Sequence, residues 1–306
     1  MINSFTITNS AGESIYIGMR NPEESGFLIG SVDGLGPVNA TLNTTDIATG
    51  DGAVYNSARL GTRNMVFQII FIDTGAESIE ELRRKAYRYF PVKKPITVTI
   101  ETDNRTLTTS GYVETNEPTI FSSLEGCQVS VICPDPFFYY GGDDTGDYVS
   151  FGIVEPMLEF AYSNESVDAP LTEFGSITDW STGVVTNSGE TDVGAVITLH
   201  MLGNASGITV YNNDTSEKMK LDTDKITKIT GSALVSGDDI IIDTNRSSKG
   251  VHLVRKGVTY NILNCLDKNA DWITLAVGDN TLGVTADDGL ENISVTVKSK
   301  TVYMGV

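Results

Sequence analysis

The sequence predicts a mainly β protein, in which a β-rich N-terminal domain with one α-helix and an extended hairpin arm precedes a C-terminal β-sandwich. Three observations predict this. The chain has 306 residues, enough for two domains at roughly 150 residues each. Short segments that alternate apolar and polar residues recur along it, as is typical of β-strands. A stretch rich in proline, glycine and aspartate near residue 140 divides it into domains 1–140 and 141–306.

The first elements of the N-terminal domain are an opening hairpin and a glycine-rich segment. Residues 4–9 and 14–19 alternate across an Ala11-Gly12 turn and predict two paired strands. Between residues 26 and 61, glycines interrupt short β-prone pieces, and Asp51-Gly52 is a turn signal. This pattern predicts loosely anchored hairpins or a projecting arm. Residues 65–72 are apolar on both faces and predict a central strand.

One helix is predicted after the central strand. Ser78 and Glu81 have the spacing of a capping box, and acidic residues fill the first turn. Apolar residues recur at helical spacing up to Phe90, and Pro91 ends the helix. Residues 96–101, 107–114 and 126–133 then predict three strands that complete a sheet with the helix packed on it.

The second domain reads as short strands without a helix. Pro134 and Pro136 interrupt strand pairing, and the Gly/Asp tract that follows cannot hold a core, so the boundary falls near residue 140. Many short strands with turn signals between them indicate a β-sandwich of the jelly-roll or lectin-like kind. The predicted strands are 157–160, 195–202, 208–212, 218–221, 240–243, 251–255, 258–261, 272–275, 281–285 and 294–304.

Charge and targeting signals exclude several classes of function. The formal net charge is −19 and the pI is near 4.4, so the protein repels phosphate, whereas nucleic-acid binding depends on Lys and Arg. The N-terminus lacks the basic region of a signal peptide, and no apolar run reaches the roughly 20 residues of a membrane span. We therefore expect a soluble protein that is made in the cytosol and does not insert into membranes.

The residues that usually carry chemistry do not form a recognisable site. Cys127, Cys133 and Cys265 lack metal-ligand spacing and are expected to be buried thiols. His200 and His252 lie in strand patterns without a carboxylate or cysteine at ligand spacing. No catalytic serine, phosphate-binding or dinucleotide-binding motif occurs. We predict no catalytic, metal or cofactor residues, and hence no enzyme.

Two weaker patterns have more than one interpretation. The stretch Asp267 to Asp271 imitates the start of a calcium loop, but Trp272 stands where glycine is needed and Gly278 where glutamate is needed. Trp180 and Trp272 are candidate sugar-stacking platforms, although each follows an aspartate at a predicted strand edge and a part-buried core role is favoured. Among the 40 acidic residues, no pair is singled out for glycoside hydrolysis.

Taken in order, these pieces resemble the distal tail protein (Dit) family of siphophages. In the first 140 residues, the resemblance rests on the opening hairpin, the glycine-punctuated segment with Asp51-Gly52-Ala-Val-Tyr, and the run from Leu60 into the central strand. It continues through the helix and ends at Cys133-Pro-Asp-Pro-Phe-Phe-Tyr. In the second half, the fragments Ile240-Ile-Ile-Asp-Thr and Trp272-Ile-Thr-Leu-Ala-Val-Gly fit that family's galectin-like sandwich.

The resemblance implies a virion structural protein of the tail tip, made in the host bacterial cytoplasm. Proteins of this family form a homo-hexameric ring that links the major tail tube protein to the tail-associated hub protein in the baseplate. Their second domain carries or approaches receptor-binding proteins, and DNA passes through the ring without specific binding. The alternative is a carbohydrate-binding protein for host attachment, whose C-terminal sandwich recognises a cell-wall polysaccharide.

Overall fold

The structure is a computed structural model that describes residues 1–75, 77–141, 147–152, 154–156, 175–177 and 182–306. Strands make up 51% of the residues and helices 10%, which confirms the mainly β prediction. The chain divides into two compact units. Unit 1 comprises Met1–Thr145 and Val302–Val306, and unit 2 comprises Gly146–Thr301.

Among its described residues, unit 1 contains ten strands and one α-helix before the chain leaves it, and a short strand at Val302–Tyr303 after the chain returns. We refer to the latter as the C-terminal strand. The elements are β1 (Ile2–Asn9), β2 (Ser14–Gly18), β3 (Phe27–Asp33), β4 (Ala40–Asp46), β5 (Ala53–Leu60), β6 (Arg63–Phe71), α1 (Ile79–Tyr89), β7 (Pro95–Thr102), β8 (Thr106–Pro118), β9 (Gly126–Cys133) and β10 (Phe138–Tyr140).

Most strands of unit 1 form a single antiparallel sheet in the order β2-β1-β7-β8-β9-β6-β3. The β10 strand pairs with β8 on one side and with the C-terminal strand on the other. The predicted hairpin of β1 and β2 is therefore confirmed. The prediction that β6 is a central strand buried on both faces is wrong: it pairs with β9 and β3 but lies next to the sheet edge, and the exposed Asn64 and Gln68 alternate with its buried residues. The β4 and β5 strands pair only with each other in the described residues.

The core of unit 1 lies on one face of the sheet, because alternate residues of each strand point inward. On β6, for example, Met65, Phe67 and Ile69 are at most 2% exposed. The rings of Phe5 and Phe67 meet edge to face with centroids 5.9 Å apart, a favourable aromatic geometry.

The α1 helix covers this core and begins as the sequence predicts. The Ser78 side chain accepts a hydrogen bond from the Glu81 backbone N–H, and the Glu81 carboxylate accepts one from the Ser78 N–H at 2.8 Å. Leu82 and Ala86 are buried, and the helix ends one residue before Phe90, which Pro91 follows. The predicted helix and its capping box are confirmed.

Unit 2 contains twelve strands and a second helix among its described residues. Its elements are β11 (Asp147–Phe151), β12 (Val154–Pro156), β13 (Gly175–Ile177), β14 (Thr182–Asn187), β15 (Ala195–Met201), β16 (Thr209–Asn212), β17 (Lys218–Lys220), α2 (Thr223–Thr230), β18 (Asp239–Asp243), β19 (Gly250–Arg255), β20 (Val258–Asn261), β21 (Gly278–Thr285) and β22 (Ile293–Ser299).

Two main sheets make unit 2 a β-sandwich, as predicted. One has the strand order β11-β22-β15-β18-β19-β20 and the other β14-β21-β16-β17, while β12 and β13 form a separate pair. Inward-pointing residues of both sheets are fully buried, among them Leu199 on β15, Ile242 on β18 and Leu282 on β21. These apolar residues supply the core between the sheets.

Three predictions for the second half are corrected. The α2 helix was not predicted; Asp222 caps its first turn by accepting a hydrogen bond from Lys225 N–H, and Gly231 ends it in the left-handed conformation with φ 80°. Residues 272–275 form no strand beyond a single bridge from Leu275 to Val193. The predicted strand 294–304 is two strands, and the second belongs to unit 1. The predicted strand 157–160 lies outside the described residues.

Candidate assembly surface

The β4 and β5 strands form a hairpin, residues 40–60, that we call the arm. The arm extends the β3–β6 hairpin beyond the sheet, since β3 runs into β4 and β5 runs into β6. Every residue of both arm strands is exposed. A two-stranded hairpin on its own is marginally stable in water. The arm therefore needs a surface to pack on, and the described residues of its own chain do not supply one.

The arm has one apolar face and one polar face. Residues paired across two strands point to the same side, and successive residues alternate. The pairs Ala40–Leu60 and Leu42–Ala58 are on one side, and the pairs Thr41–Arg59 and Asn43–Ser57 are on the other. The Asn43 side chain donates a hydrogen bond to the Ser57 hydroxyl at 3.0 Å, which holds the polar face together.

A β-bulge enlarges the apolar face. The register shifts between Asn43 and Thr44, so that Asn56 is the extra residue and Tyr55 pairs with Thr44. Thr44 is two residues from Leu42 on β4 and so lies on the same side of the hairpin. Because Tyr55 pairs with Thr44, the shift places Tyr55 on the Leu42 side as well. Leu42 and Tyr55 are 63% and 61% exposed. The bulge thus creates a contiguous apolar strip of the kind that another protein surface would cover.

The base of the arm is held by a buried arginine, Arg63, at the start of β6. Arg63 is 1% exposed and donates hydrogen bonds to the carbonyl oxygens of four residues. The Cζ atom of its planar guanidinium group also lies 4.2 Å from the centroid of the Phe138 ring. The acceptors are Gly34, Gly36 at 2.7 Å, Pro136 at 2.8 Å and Met304 at 2.6 Å.

These four carbonyls belong to segments that are far apart in the sequence. Gly34 and Gly36 lie between β3 and the arm, Pro136 lies before β10, and Met304 follows the C-terminal strand. Burial lowers the pKa of Arg63 from its ordinary value, and the nearby Cys133 and Asp135 act in the opposite direction. A second tie is the hydrogen bond from Val306 N–H to the Leu35 carbonyl at 3.0 Å. The chain thus fixes the root of the arm while its far end is exposed.

The outer face of the unit 1 sheet carries rows of hydroxyl groups. Register places Ser14, Thr8, Thr97 and Ser110 side by side across four strands. Hydroxyl oxygens are 2.8 Å apart in the Thr8–Ser14 pair and 3.2 Å apart in the Thr97–Ser110 pair. A parallel row contains Tyr16, Thr6, Thr99 and Thr108.

This outer face has acidic groups and almost no cationic ones. Within the seven consecutively paired strands, all of which the structure describes, Arg63 is the sole lysine or arginine, and it points into the core. Glu101 and Glu114 are exposed on the outer face, where each accepts a hydrogen bond from a serine, Ser4 at 2.9 Å and Ser130 at 3.0 Å. This face of the sheet therefore presents hydroxyl and carboxylate groups, and it lacks the cations that would bind a polyanion such as DNA.

The three cysteines and two histidines are distributed over both units. The three cysteines are buried and free, as predicted, and burial raises the pKa of Cys127 to about 12. His200 lies on β15, and its Nδ1 atom is 2.6 Å from a carboxylate oxygen of Asp239 in the neighbouring strand. Sequence spacing does not indicate this pair, because strand register brings His200 and Asp239 together. Within the described ranges, no group of three or more His, Cys, Asp or Glu side chains is arranged to hold a metal.

The structure describes one of the two sugar-stacking candidates. Trp272 is half-buried, and the Lys249 ammonium lies 5.2 Å from its ring centroid, so a cation occupies that face. Trp180 lies outside the described residues. Unit 2 also has a polar cleft of about 630 Å³ beside the start of α2. Two pairs of its charged side chains are in contact, with Lys225 3.1 Å from Asp222 and Lys220 3.6 Å from Asp287.

Neither helix among the described residues combines the length and hydrophobicity that crossing a bilayer requires.

Comparison with known proteins connects this architecture to phage tails. Residues 23–138 match the sequence model of a family described as the phage tail protein RIFT-related domain. None of the curated proteins matches the sequence. The Dit protein of phage SPP1, described as a paradigm of the hub adsorption apparatus in phages that infect Gram-positive bacteria, is 16% identical over 97% of this chain and 98% of its own, with a TM-score of 0.61.

Two chains of the phage p2 baseplate in its activated conformation are also similar. The structure with Sr gives 12% identity over 97% of this chain and 98% of the other, with a TM-score of 0.46. The structure with Ca gives 12% identity over 98% of each chain, with a TM-score of 0.45. The SPP1 match shows that the chain has the fold of a distal tail protein, and the resemblance predicted from the sequence is confirmed.

Proposed function

We propose that this chain is the distal tail protein of a phage tail tip, in which six copies form a ring. The ring joins the tail tube to the baseplate hub protein, and unit 2 provides the platform for receptor-binding proteins. The function is mechanical and not enzymatic, and it is performed in the virion after synthesis in the host bacterium. The match of residues 23–138 to a phage tail domain supports the tail assignment.

The observation that carries the ring proposal is the arm. Its strip of Leu42, Tyr55 and Leu60 is exposed in the single chain, while its root is fixed by Arg63. An apolar ribbon on a fixed root is suited to covering a neighbouring subunit, because burial of apolar area is the main source of association free energy. If each arm packs on the next copy around a closed ring, every arm is covered through the same contact.

The outer face of the unit 1 sheet suits the wall of the channel. DNA moving through a tail must not adhere to it, and adhesion comes from Lys and Arg displacing counterions from phosphate. A face built from hydroxyl rows with Glu101 and Glu114 gives DNA no such cations. We therefore assign this face to the lumen of the ring.

The ring is tested by comparing two neighbouring arm substitutions in the full chain. Leu42→Asp places a charge on the apolar face, and Thr41→Asp places the same charge on the polar face one residue away. We expect the unmodified protein and Thr41→Asp to sediment as six times 32.9 kDa and to show six-fold rings by negative-stain microscopy. Leu42→Asp should remain a monomer with an unchanged melting temperature, since the site is exposed in the monomer.

A monomeric unmodified protein at high concentration would contradict the proposal. Equal assembly of the two aspartate variants would contradict the role of the apolar face.

The channel assignment is tested in assembled virions. Lysines at Thr8, Thr99 and Ser110 should slow genome ejection, and the delay should shrink as salt rises and screens the attraction. Glutamates at the same three positions are the matched control and should leave the ejection rate unchanged. An unaltered rate with the three lysines would remove this face from the channel wall.

A further inference from the structure

A second apolar cluster projects from unit 1 at residues 119–124, the loop that joins β8 to β9, which we call the tip loop. Ile120 is 43% exposed and Leu124 is 65% exposed. Phe121 is 104% exposed, so it touches almost nothing in its own chain. Burying a phenylalanine side chain is worth about 1.5–3 kcal/mol. Three exposed apolar side chains on one loop form the kind of patch that marks an interaction surface.

The tip loop is anchored at its base. The Glu125 carboxylate forms an ion pair with Arg83 of α1, and the Glu125 carbonyl accepts a hydrogen bond from Phe71 N–H at 2.9 Å. Thr119 N–H donates to the Gly126 carbonyl at 2.9 Å. These bonds fix the position of the loop relative to β6 and α1. Its apolar tip is therefore presented by a rigid base, which reduces the entropy lost when a partner binds.

The arm alone is too small to hold a ring together. A strand of eight residues is about 26 Å long and a two-stranded ribbon is about 10 Å wide, so one face covers roughly 260 Å². A stable interface buries about 800 Å² on each partner. One face of the arm therefore supplies only part of a stable subunit contact. It can be covered only by apolar surface that the neighbour exposes, and the tip loop is an exposed apolar cluster of the same unit.

The arm and the tip loop lie at opposite ends of β6. The arm enters β6 at Arg63, which pairs with Cys133, whereas the tip loop leads into Gly126, which pairs with Ile70. The nine residues of β6 separate the two ends by about 30 Å. A head-to-tail ring needs two different surfaces on opposite sides of each subunit, one to give and one to receive.

We propose that the tip loop is the receiving surface for the arm of a second copy of this chain. This rests on the ring proposed above and specifies which surface the arm covers. Phe121, with Ile120 and Leu124 beside it, packs against the apolar strip of the neighbour's arm around Leu42 and Tyr55. Because the arm and the tip loop lie at opposite ends of β6, this contact fixes the orientation of each subunit relative to the next one in the ring.

Disulfide trapping between full-length chains tests the contact. The native cysteines are at most 2% exposed, so they do not compete with introduced thiols. A Phe121→Cys chain mixed with a Leu42→Cys chain and oxidised with copper phenanthroline should give a covalent dimer. Phe121→Cys with Thr41→Cys is the matched control, with the second thiol on the polar face, and should give at least about tenfold less dimer. A chain carrying both Phe121→Cys and Leu42→Cys should form a covalent ladder that ends at six.

Sedimentation of Phe121→Ser separates this inference from the ring itself. We expect about tenfold or greater weakening of association. Val258→Ser, at an exposed apolar residue of unit 2, is the control that leaves association unchanged. If the unmodified chain forms rings, and Phe121→Ser forms them equally well without trapping at Phe121, the inference is overturned and the ring stands. The tip loop would then face another tail protein. If the unmodified chain does not assemble, the ring proposal fails first.

Discussion

The two halves of one long hairpin, from Phe27 to Phe71, differ in burial: the apolar side is buried in one half and exposed in the other. In the half nearer the sheet, β3 pairs with β6, and Met65, Phe67 and Ile69 are at most 2% exposed. In the far half, β4 pairs with β5, and Leu42 and Tyr55 are more than 60% exposed. Both halves have strand geometry and an apolar side.

The difference lies in what covers the apolar side. The near half is covered by α1 and by the other strands of its own sheet, so its stability is a property of the single chain. The far half has no cover within the described residues, so its stability depends on protein concentration and on the neighbour. Substitutions in the two halves should therefore change different observables.

The largest effect is expected at Phe67, in the covered half. Phe67→Ala should lower the free energy of unfolding by about 3–5 kcal/mol, since it removes a fully buried ring that packs on Phe5 and Phe90. Leu42→Ala, in the uncovered half, should change monomer unfolding by less than about 0.5 kcal/mol. Urea denaturation below the assembly concentration measures both. Similar losses at the two sites would refute the distinction.

A smaller but still large effect is expected where the halves join. Arg63→Met leaves four backbone carbonyls without their donor, at about 1–3 kcal/mol for each one that stays buried. Only the carbonyls that water cannot reach keep this cost, so we expect a loss of about 3 kcal/mol and faster amide exchange in residues 34–39 and 302–306. Arg59→Met, an exposed arginine on the polar face of the arm, is the control and should be nearly neutral. Equal stability of the two variants would show that Arg63 does not hold the root.

The smallest effect concerns an ion pair that lies wholly within unit 1. Hydrogen bonds from Arg88 and Asn9 lower the pKa of Glu13 to about 2 from its ordinary value of 4.5. The pair therefore contributes fully above about pH 4.5, and its contribution is lost as pH falls towards 2. Arg88→Met should return the Glu13 pKa towards 4.5 in an NMR titration. The shift should be the same in monomer and ring, and a difference between them would place this pair at the subunit contact.

The sequence predicted the features that local patterns control. The capping box of Ser78 and Glu81 fixes α1, and the glycines between residues 26 and 61 marked the projecting segment. The α2 helix was missed although both its signals are local, Asp222 at its start and Gly231 at its end. Its eight residues lie between predicted strands, and their β-branched threonines and isoleucines lower the helix propensity of the segment, so it was left unassigned.

Nonlocal features could not be predicted in the same way. The apolar face of the arm depends on a bulge at Asn56, and an unbroken alternation would have put Tyr55 on the polar side. The role of Arg63 depends on carbonyls from four separate segments, including Met304, which is 241 residues away. The return of the C-terminal strand to β10 likewise depends on pairing across nearly the whole chain.

Hydrogen–deuterium exchange of the arm amides in the assembled full-length protein tests the central claim most directly. If a second copy covers the arm, residues 40–46 and 53–60 should exchange much more slowly in the unmodified protein than in Leu42→Asp, while the β6 amides exchange equally slowly in both. Equally fast exchange of the arm in assembled rings and in the monomeric variant would contradict the account.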